Sequence, residues 1–229
     1  KMLVAINTEY RYHKERDKNK LSSNWQIRDL SHDESEEHLL KGYPITNIYT
    51  TGVKGFRRKA KHFTSASFVP LDFDNDPEKL LKYNAKEFFI EELTAGHTDR
   101  SIFIKENGYI GYLTYNHTTE NNRFRIIFKL PEPIKDLNEY IKIYKAFLKI
   151  FPSADHDYVI PTGYIWGAKE NTSSLKLGSE LSSEVLNGIL EKSNPVESIK
   201  EESSIETLPG RENPLDDFVS VFVQKQLNC

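Results

Sequence analysis

The chain has 229 residues, 38% hydrophobic, 12% aromatic and 28% charged, enough for a sizeable core and too apolar for disorder of the whole chain. A formal charge of −3 excludes a wholly basic nucleic-acid coat but leaves room for a local basic channel. The one cysteine, Cys229, excludes a disulfide framework and a zinc cluster and suits a reducing cytoplasm, while no apolar run or signal peptide points to a membrane.

The chain opens on Lys1 rather than Met, which reads either as a trimmed chain or as a fragment of a longer protein, and its first element is a strand at Met2–Asn7. Residues 11–20 are polar and predict a loop. A short helix is expected over 33–41, capped by Ser31 or Asp33. Gly42-Tyr43-Pro44 breaks it ahead of a strand at 45–50. A dense basic segment, 54–62, leads to an apolar strand that ends in acids. Asp76-Pro77-Glu78 has the form of a helix start, with Asp76 as cap and Pro77 at the first helical position, and predicts a helix over 77–92. Strands follow at 108–115 and 123–130, the second ended by Pro131-Glu132-Pro133. Asp136-Leu137-Asn138-Glu139 is a capping box that opens a helix to Phe151. Its apolar stripe of Leu137, Tyr140, Ile141, Tyr144, Phe147 and Leu148 predicts a core face. A short strand at 164–166 ends at Gly167, and a further helix covers 183–192. Residues 193–214, rich in Ser, Glu and Pro, read as a flexible linker, and 215–227 as a closing helix or docking segment. There are no internal repeats.

The chemistry concentrates in Phe68-Val69-Pro70-Leu71-Asp72-Phe73-Asp74-Asn75. Side chains alternate along a strand, so Asp72 and Asp74 share one face while Leu71 and Phe73 share the other. At about 3.3 Å per residue the two Asp Cα atoms lie roughly 6–7 Å apart. Carboxylates so placed can converge on one divalent ion, or on two ions about 3.5–4 Å apart. The plainer alternative is a strand end whose acids face water. Downstream, Tyr115-Asn116-His117 stands at a strand end, and Arg123-Phe124-Arg125-Ile126-Ile127-Phe128 aims two guanidiniums away from Phe124, Ile126 and Phe128. Such a pair suits phosphates, which Arg grips bidentately, or else decorates a solvated sheet face. His117 is by itself equally a satisfied loop histidine. Asp155 can supply a third carboxylate, with Asp157 as its rival. Lys54, Arg57, Arg58, Lys59, Lys61 and His62 are either a wall of a nucleotide or template groove or an exposed solvated loop.

Leu71-Asp72-Phe73-Asp74, then His117, then Arg123-Phe124-Arg125-Ile126-Ile127-Phe128, then Asp155 before Pro161 and Tyr164-Ile165-Trp166-Gly167, resembles the catalytic core of archaeo-eukaryotic primases. More narrowly, it resembles the single-chain primase-polymerases of plasmids, phages and CRISPR-associated systems, over roughly residues 42–167. The resemblance implies that Asp72, Asp74 and Asp155 hold two Mg²⁺ or Mn²⁺ ions and that His117 contacts an incoming triphosphate. Arg125, then Arg123, would clamp phosphates, with Asn116 beside them, while Lys54, Arg57, Arg58 and Lys61 would contact nucleic acid. Two positions depart from the pattern: Tyr115 stands where a small Ser often precedes the His, and Gly163 where an Arg often follows the third Asp.

The expected fold is α+β, with a mostly antiparallel sheet in the style of an RNA-recognition motif carrying the acids and helices on its other face. Residues 1–65 would form a smaller N-terminal αβ unit, 66–192 the metal-binding catalytic unit, and 193–229 a linker and C-terminal segment. The expected activity is template-dependent nucleotidyl transfer, with single-stranded or primed DNA and nucleoside triphosphates as partners, within a larger replication or CRISPR-adaptation protein. The alternatives are a non-catalytic single-strand binding module and a metal-dependent nuclease.

Overall fold

Every strand pairing among the described residues is antiparallel and helices flank the sheets, so the fold is α+β. The computed structural model describes residues 1–11, 24–52, 55–56, 59–156, 163–169, 172–175 and 177–193.

Strand β1 (Met2–Asn7) lies between β2 (Trp25–Leu30) and β3 (Ile45–Thr46) in a three-stranded sheet. Helix α1 (His32–Leu40) joins β2 to β3 in the chain. Ser31 is its cap: the Ser31 hydroxyl accepts from the Glu34 N–H, and the Glu34 carboxylate accepts from the Ser31 N–H. Strand β4 (Ile48–Tyr49) is followed by a small antiparallel pair, β5 (Thr51–Gly52) and β6 (Gly55–Phe56), and a 3₁₀ turn at Ala60–His62. Strand β7 (Phe63–Phe73) then crosses the boundary expected between residues 65 and 66. It is followed by α2 (Pro77–Lys82), α3 (Ile90–Ala95), α4 (Asp99–Asn107), β8 (Ile110–Leu113), β9 (Phe124–Ile134), α5 (Leu137–Ile150), β10 (Ser174–Leu175) and α6 (Ser183–Ser193). The second sheet has the order β10-β8-β9-β7-β4.

This five-stranded sheet has two unlike faces. On one, Val69, Leu71 and Phe73 of β7 and Phe124, Ile126 and Phe128 of β9 enter the larger core with residues of α4, α5 and α6. Phe73 and Phe124, paired in register, stack with ring centroids 4.7 Å apart. Two tyrosines of α5 fasten the helix to β7: the Tyr140 hydroxyl donates to the Phe68 carbonyl at 3.2 Å and the Tyr144 hydroxyl to the Pro70 carbonyl at 2.8 Å. On the other face, Phe68, Ile110, Tyr112 and Ile127 pack against Met2, Val4, Ile6 and Ile45 of the N-terminal sheet. Further along that same face Asp72 stands opposite Arg125. The N-terminal sheet covers the apolar part of the face, and the charged part is where the site forms.

Several elements differ from the sequence expectation. The helix expected over 77–92 is two helices. Asn84, at φ 49°, adopts the left-handed conformation just past α2, and a fresh turn starts at Ile90. Strand β9 runs through Pro131 and Pro133, because its register with β7 shifts between Ala66 and Phe68 and an irregular ladder tolerates residues without an N–H. Strand β2 has no signal in the sequence: most of its residues are exposed, so it lacks an apolar alternation. Residues 164–166 form an isolated bridge, Ile165 to Ile45, rather than a strand. The α5 stripe is buried at Tyr140, Ile143, Tyr144, Phe147, Leu148 and Ile150, with Leu137 and Ile141 half-buried beside it. Ser193, expected to begin the linker, is the last residue of α6, and residues 194–229 lie outside the described residues. Residues 12–20 of the expected loop lie outside them too.

Candidate active site

The chain turns sharply as β7 ends, and the turn presents the acids. Asn75 holds φ 49°, a conformation that Asn tolerates better than most residues. Its buried side-chain amide donates to the carbonyls of Phe88 (3.0 Å) and Asn122 (2.9 Å) and accepts from the Phe88 N–H (3.0 Å). Three separate segments are thereby fixed around the residue that follows Asp74. Asp76 then caps α2, accepting from the N–H groups of Glu78 and Lys79. That start brings Lys79 back towards the acids. Its Nζ donates to Asp155 Oδ2 at 2.7 Å and lies 3.8 Å from Asp74 Oδ2. Asp155 arrives from the turn after α5, and its backbone N–H donates to the Asp72 carbonyl at 2.7 Å. The third carboxylate is therefore tied to the first by main chain.

Arg123, the residue just before β9, and Arg125 within it have different surroundings. The Arg125 side chain is 4% exposed. Its Nη2 pairs with Asp72 Oδ2, and its Nη1 donates to the Trp166 carbonyl at 2.9 Å. The Tyr112 hydroxyl donates to the same carbonyl at 2.6 Å. Arg123 is 24% exposed, lies 4.0 Å from Asp74 Oδ1, and leaves its buried Nε without a hydrogen-bond partner. Asp72, Asp74, Asp155, Arg123, Arg125 and Asn116 all line one cavity of about 360 Å³, together with Thr114, Tyr115, Gly163, Tyr164 and Trp166.

Charge crowding marks Asp74. Burial pushes its pKa above the ordinary value, and the negative charges of Asp72 and Asp155 push the same way, against Arg123 and Lys79. Three carboxylates are a hard oxygen donor set, of the kind Mg²⁺ and Mn²⁺ prefer. Asp72 Oδ1 is buried and has no hydrogen-bond partner, so the site retains an acceptor that a cation would satisfy. The donor chemistry fits a divalent ion. Arg125 engages Asp72 Oδ2 and Lys79 engages Asp155 Oδ2, and among the described residues no three His, Cys, Asp or Glu side chains are gathered into a ready coordination shell.

Of the residues singled out from sequence, Asp72, Asp74, Asp155, Asn116, Arg123 and Arg125 come together. His117 does not line the cavity: its Nδ1 accepts from the Arg123 N–H at 3.0 Å, which holds the turn between β8 and β9. Lys59 and Lys61 are exposed beside the start of β7. Lys54, Arg57, Arg58 and Asp157 lie outside the described residues. Lys79, Asn75, Tyr164 and Trp166 were not singled out as site residues. Lys79 had a readable signal, since it sits one turn into a helix whose cap directly follows the acids.

No family model matches the sequence, and no curated protein matches it. Among solved structures the chain is similar to the AEP domain of the primase-polymerase of cyanophage S-2L. That match has a TM-score of 0.40 and 10% identity, and covers 83% of this chain and 86% of that one. No helix among the described residues is long and apolar enough to cross a membrane.

Proposed function

We propose that this chain is a template-directed nucleotidyltransferase, a primase-polymerase that joins nucleoside triphosphates on single-stranded or primed DNA. One observation carries the reading: Asp72 and Asp74 at the end of β7 and Asp155 beyond α5 line the same cavity as Arg123 and Asn116. The motif order of the archaeo-eukaryotic primases supports it, as does an antiparallel sheet with acids at one end and helices on its other face. Asp72, Asp74 and Asp155 would hold two Mg²⁺ or Mn²⁺ ions, whose charge, when bound, activates the attacking hydroxyl and offsets that of the triphosphate and departing pyrophosphate.

The chain's own residues supply position and charge. Arg125 holds Asp72 from behind, and the Asp155 N–H ties that residue to the Asp72 backbone. Arg123, the more open guanidinium, grips the phosphates, with Asn116 beside it. His117 sets the backbone of Arg123. Lys79 partly neutralises Asp74 and Asp155, and Asp155 would have to exchange that contact to hold an ion. Lys54, Arg57, Arg58 and Lys61 would contact the nucleic acid. The setting this reading implies is DNA replication or CRISPR adaptation in the cytoplasm, as part of a larger protein.

Primer extension with Mg²⁺ or Mn²⁺ tests the proposal. Asp72→Ala and Asp74→Ala should each abolish extension; Asp74→Ala should leave thermal unfolding little changed, while Asp72→Ala, which strands the buried Arg125 guanidinium, should also lower stability. Asp155→Ala should lower activity sharply and Asp157→Ala much less. Full extension by both Asp72→Ala and Asp74→Ala would sink the metal assignment. DNA hydrolysis without incorporation, lost in the same variants, would make the protein a nuclease.

A further inference from the structure

The cavity has an aromatic wall that phosphate chemistry does not use. Tyr164 and Trp166 line it together with the acids and Arg123. Their rings meet at 88° with centroids 4.8 Å apart, so they form a corner rather than a closed stack. Tyr10 meets the Trp166 ring at 5.7 Å, and Trp25 meets the Tyr164 ring at 6.2 Å, so the N-terminal sheet and its flank back the corner.

The segment that carries these rings is held from both sides. The Trp166 carbonyl accepts from Arg125 and Tyr112, both deeply buried. The buried Thr46 hydroxyl donates to the Gly163 carbonyl at 2.8 Å, and Ile165 and Ile45 exchange backbone hydrogen bonds of 2.9 and 3.0 Å. Gly167 closes the segment against α1: a Cβ there would stand 2.4 Å from the Leu39 carbonyl oxygen, so no larger residue fits. An accidental surface pair of aromatics would not need this anchoring. A cavity of about 360 Å³ is of ligand size. It offers a corner of two aromatic faces and one charged region within a single small volume.

We infer that Tyr164 and Trp166 form the seat of a nucleobase, the base of a nucleoside triphosphate whose phosphates run towards Arg123 and the acids. The inference rests on the proposed nucleotidyl transfer and adds the contact that would separate a nucleotide from a bare polyphosphate. Stacking tolerates every base because each has a π-face. That suits a reaction in which the template, not the enzyme, chooses the base.

The chain has two tryptophans, Trp25 and Trp166, so Trp25→Phe leaves Trp166 as the single indole reporter. This variant of the full chain is titrated, with and without Mg²⁺, against ATP, adenosine, inorganic tripolyphosphate and a short single-stranded DNA. ATP and adenosine should quench Trp166 emission saturably. Tripolyphosphate should not quench but should displace ATP. Tyr164→Leu in this background should weaken ATP roughly 10-fold or more and leave tripolyphosphate unchanged, while Tyr164→Phe, which keeps a ring, should bind like the parent. ATP and tripolyphosphate binding equally, with neither moved by Tyr164→Leu, would overturn the seat and leave the triphosphate site standing. Adenosine binding without tripolyphosphate competition would uphold the seat and count against the triphosphate reading. Quenching by DNA but by no mononucleotide would give the corner to the template and overturn the inference.

Discussion

Arg123 and Arg125 show how two like residues, two positions apart at the start of β9, come to different work. Arg125 is sealed between Asp72 and the Trp166 carbonyl, whereas Arg123 stands partly open beside Asp74. Removing one member of a buried ion pair leaves the other charge uncompensated, a loss of about 3–5 kcal/mol. Arg125→Ala should therefore lower the unfolding free energy of the protein, measured by urea denaturation, by an amount of that order. Arg123→Ala should change stability by less than about 1 kcal/mol. It should weaken triphosphate binding roughly 10-fold, the cost of one charge-assisted hydrogen bond. Unchanged stability in Arg125→Ala together with lost nucleotide affinity would place that guanidinium at the ligand instead. Strand alternation in the sequence predicts both arginines on one face and goes no further, and Arg123 lies one residue outside β9. What separates them is Trp166, far along the chain, whose carbonyl covers one arginine and not the other.

Helix α1 carries a pH-sensitive joint. His38 is buried, its Nε2 lies 3.1 Å from the Pro44 carbonyl, and its ring meets Tyr43 with centroids 5.4 Å apart. Burial holds its pKa below the ordinary value of 6.5, helped by the Lys41 charge and opposed by the Pro44 hydrogen bond. The unfolded chain takes up this proton near 6.5 and the folded chain only at lower pH. Folding stability from this group is thus complete above that value and is lost as pH falls through the folded pKa. Chemical denaturation at a series of pH values should show this loss on the acid side, and His38→Gln should flatten it. An identical slope in the variant would assign the loss to other groups. The caps of this and other helices were legible because capping is a local exchange between a side chain and nearby N–H groups, as at Ser31, Asp76 and Asp136. Strand β9 beyond Leu130 was not, because the tolerance of Pro131 and Pro133 depends on a register shift with β7.

At the scale of the molecule, the net charge of −3 leaves no global positive field to hold a polyanion. Template affinity must then depend on a local basic surface. If the segment around Lys54 and Lys61 borders the groove, replacing Arg57, Arg58 and Lys61 together by Ala should weaken DNA binding without regard to sequence. For a single strand, log affinity against log salt has a slope of about −0.7 per neutralised phosphate, so the triple variant should be shallower by up to roughly two units. Unchanged DNA binding with weakened nucleotide binding would move the segment to the triphosphate. No change in either would make it a solvated loop.

What the sequence by itself determined is the chemistry that depends on near neighbours. The alternation of Phe68–Asp74 and of Arg123–Phe128 set two acids and two arginines apart from their apolar neighbours, and all four line one cavity, while Asp136 opened a core helix. The alternation and the helix start follow from the period of a strand or a helix turn and need no partner. Tertiary structure decided which of those groups meet and which are covered. Lys79 reaches Asp155, the Asp155 N–H meets the Asp72 carbonyl, and Tyr164 and Trp166 become a wall of the acid-lined cavity. Those contacts join residues brought close only when β7, β9 and the turn after α5 pack together, and no local period records which distant segment will cover a given side chain.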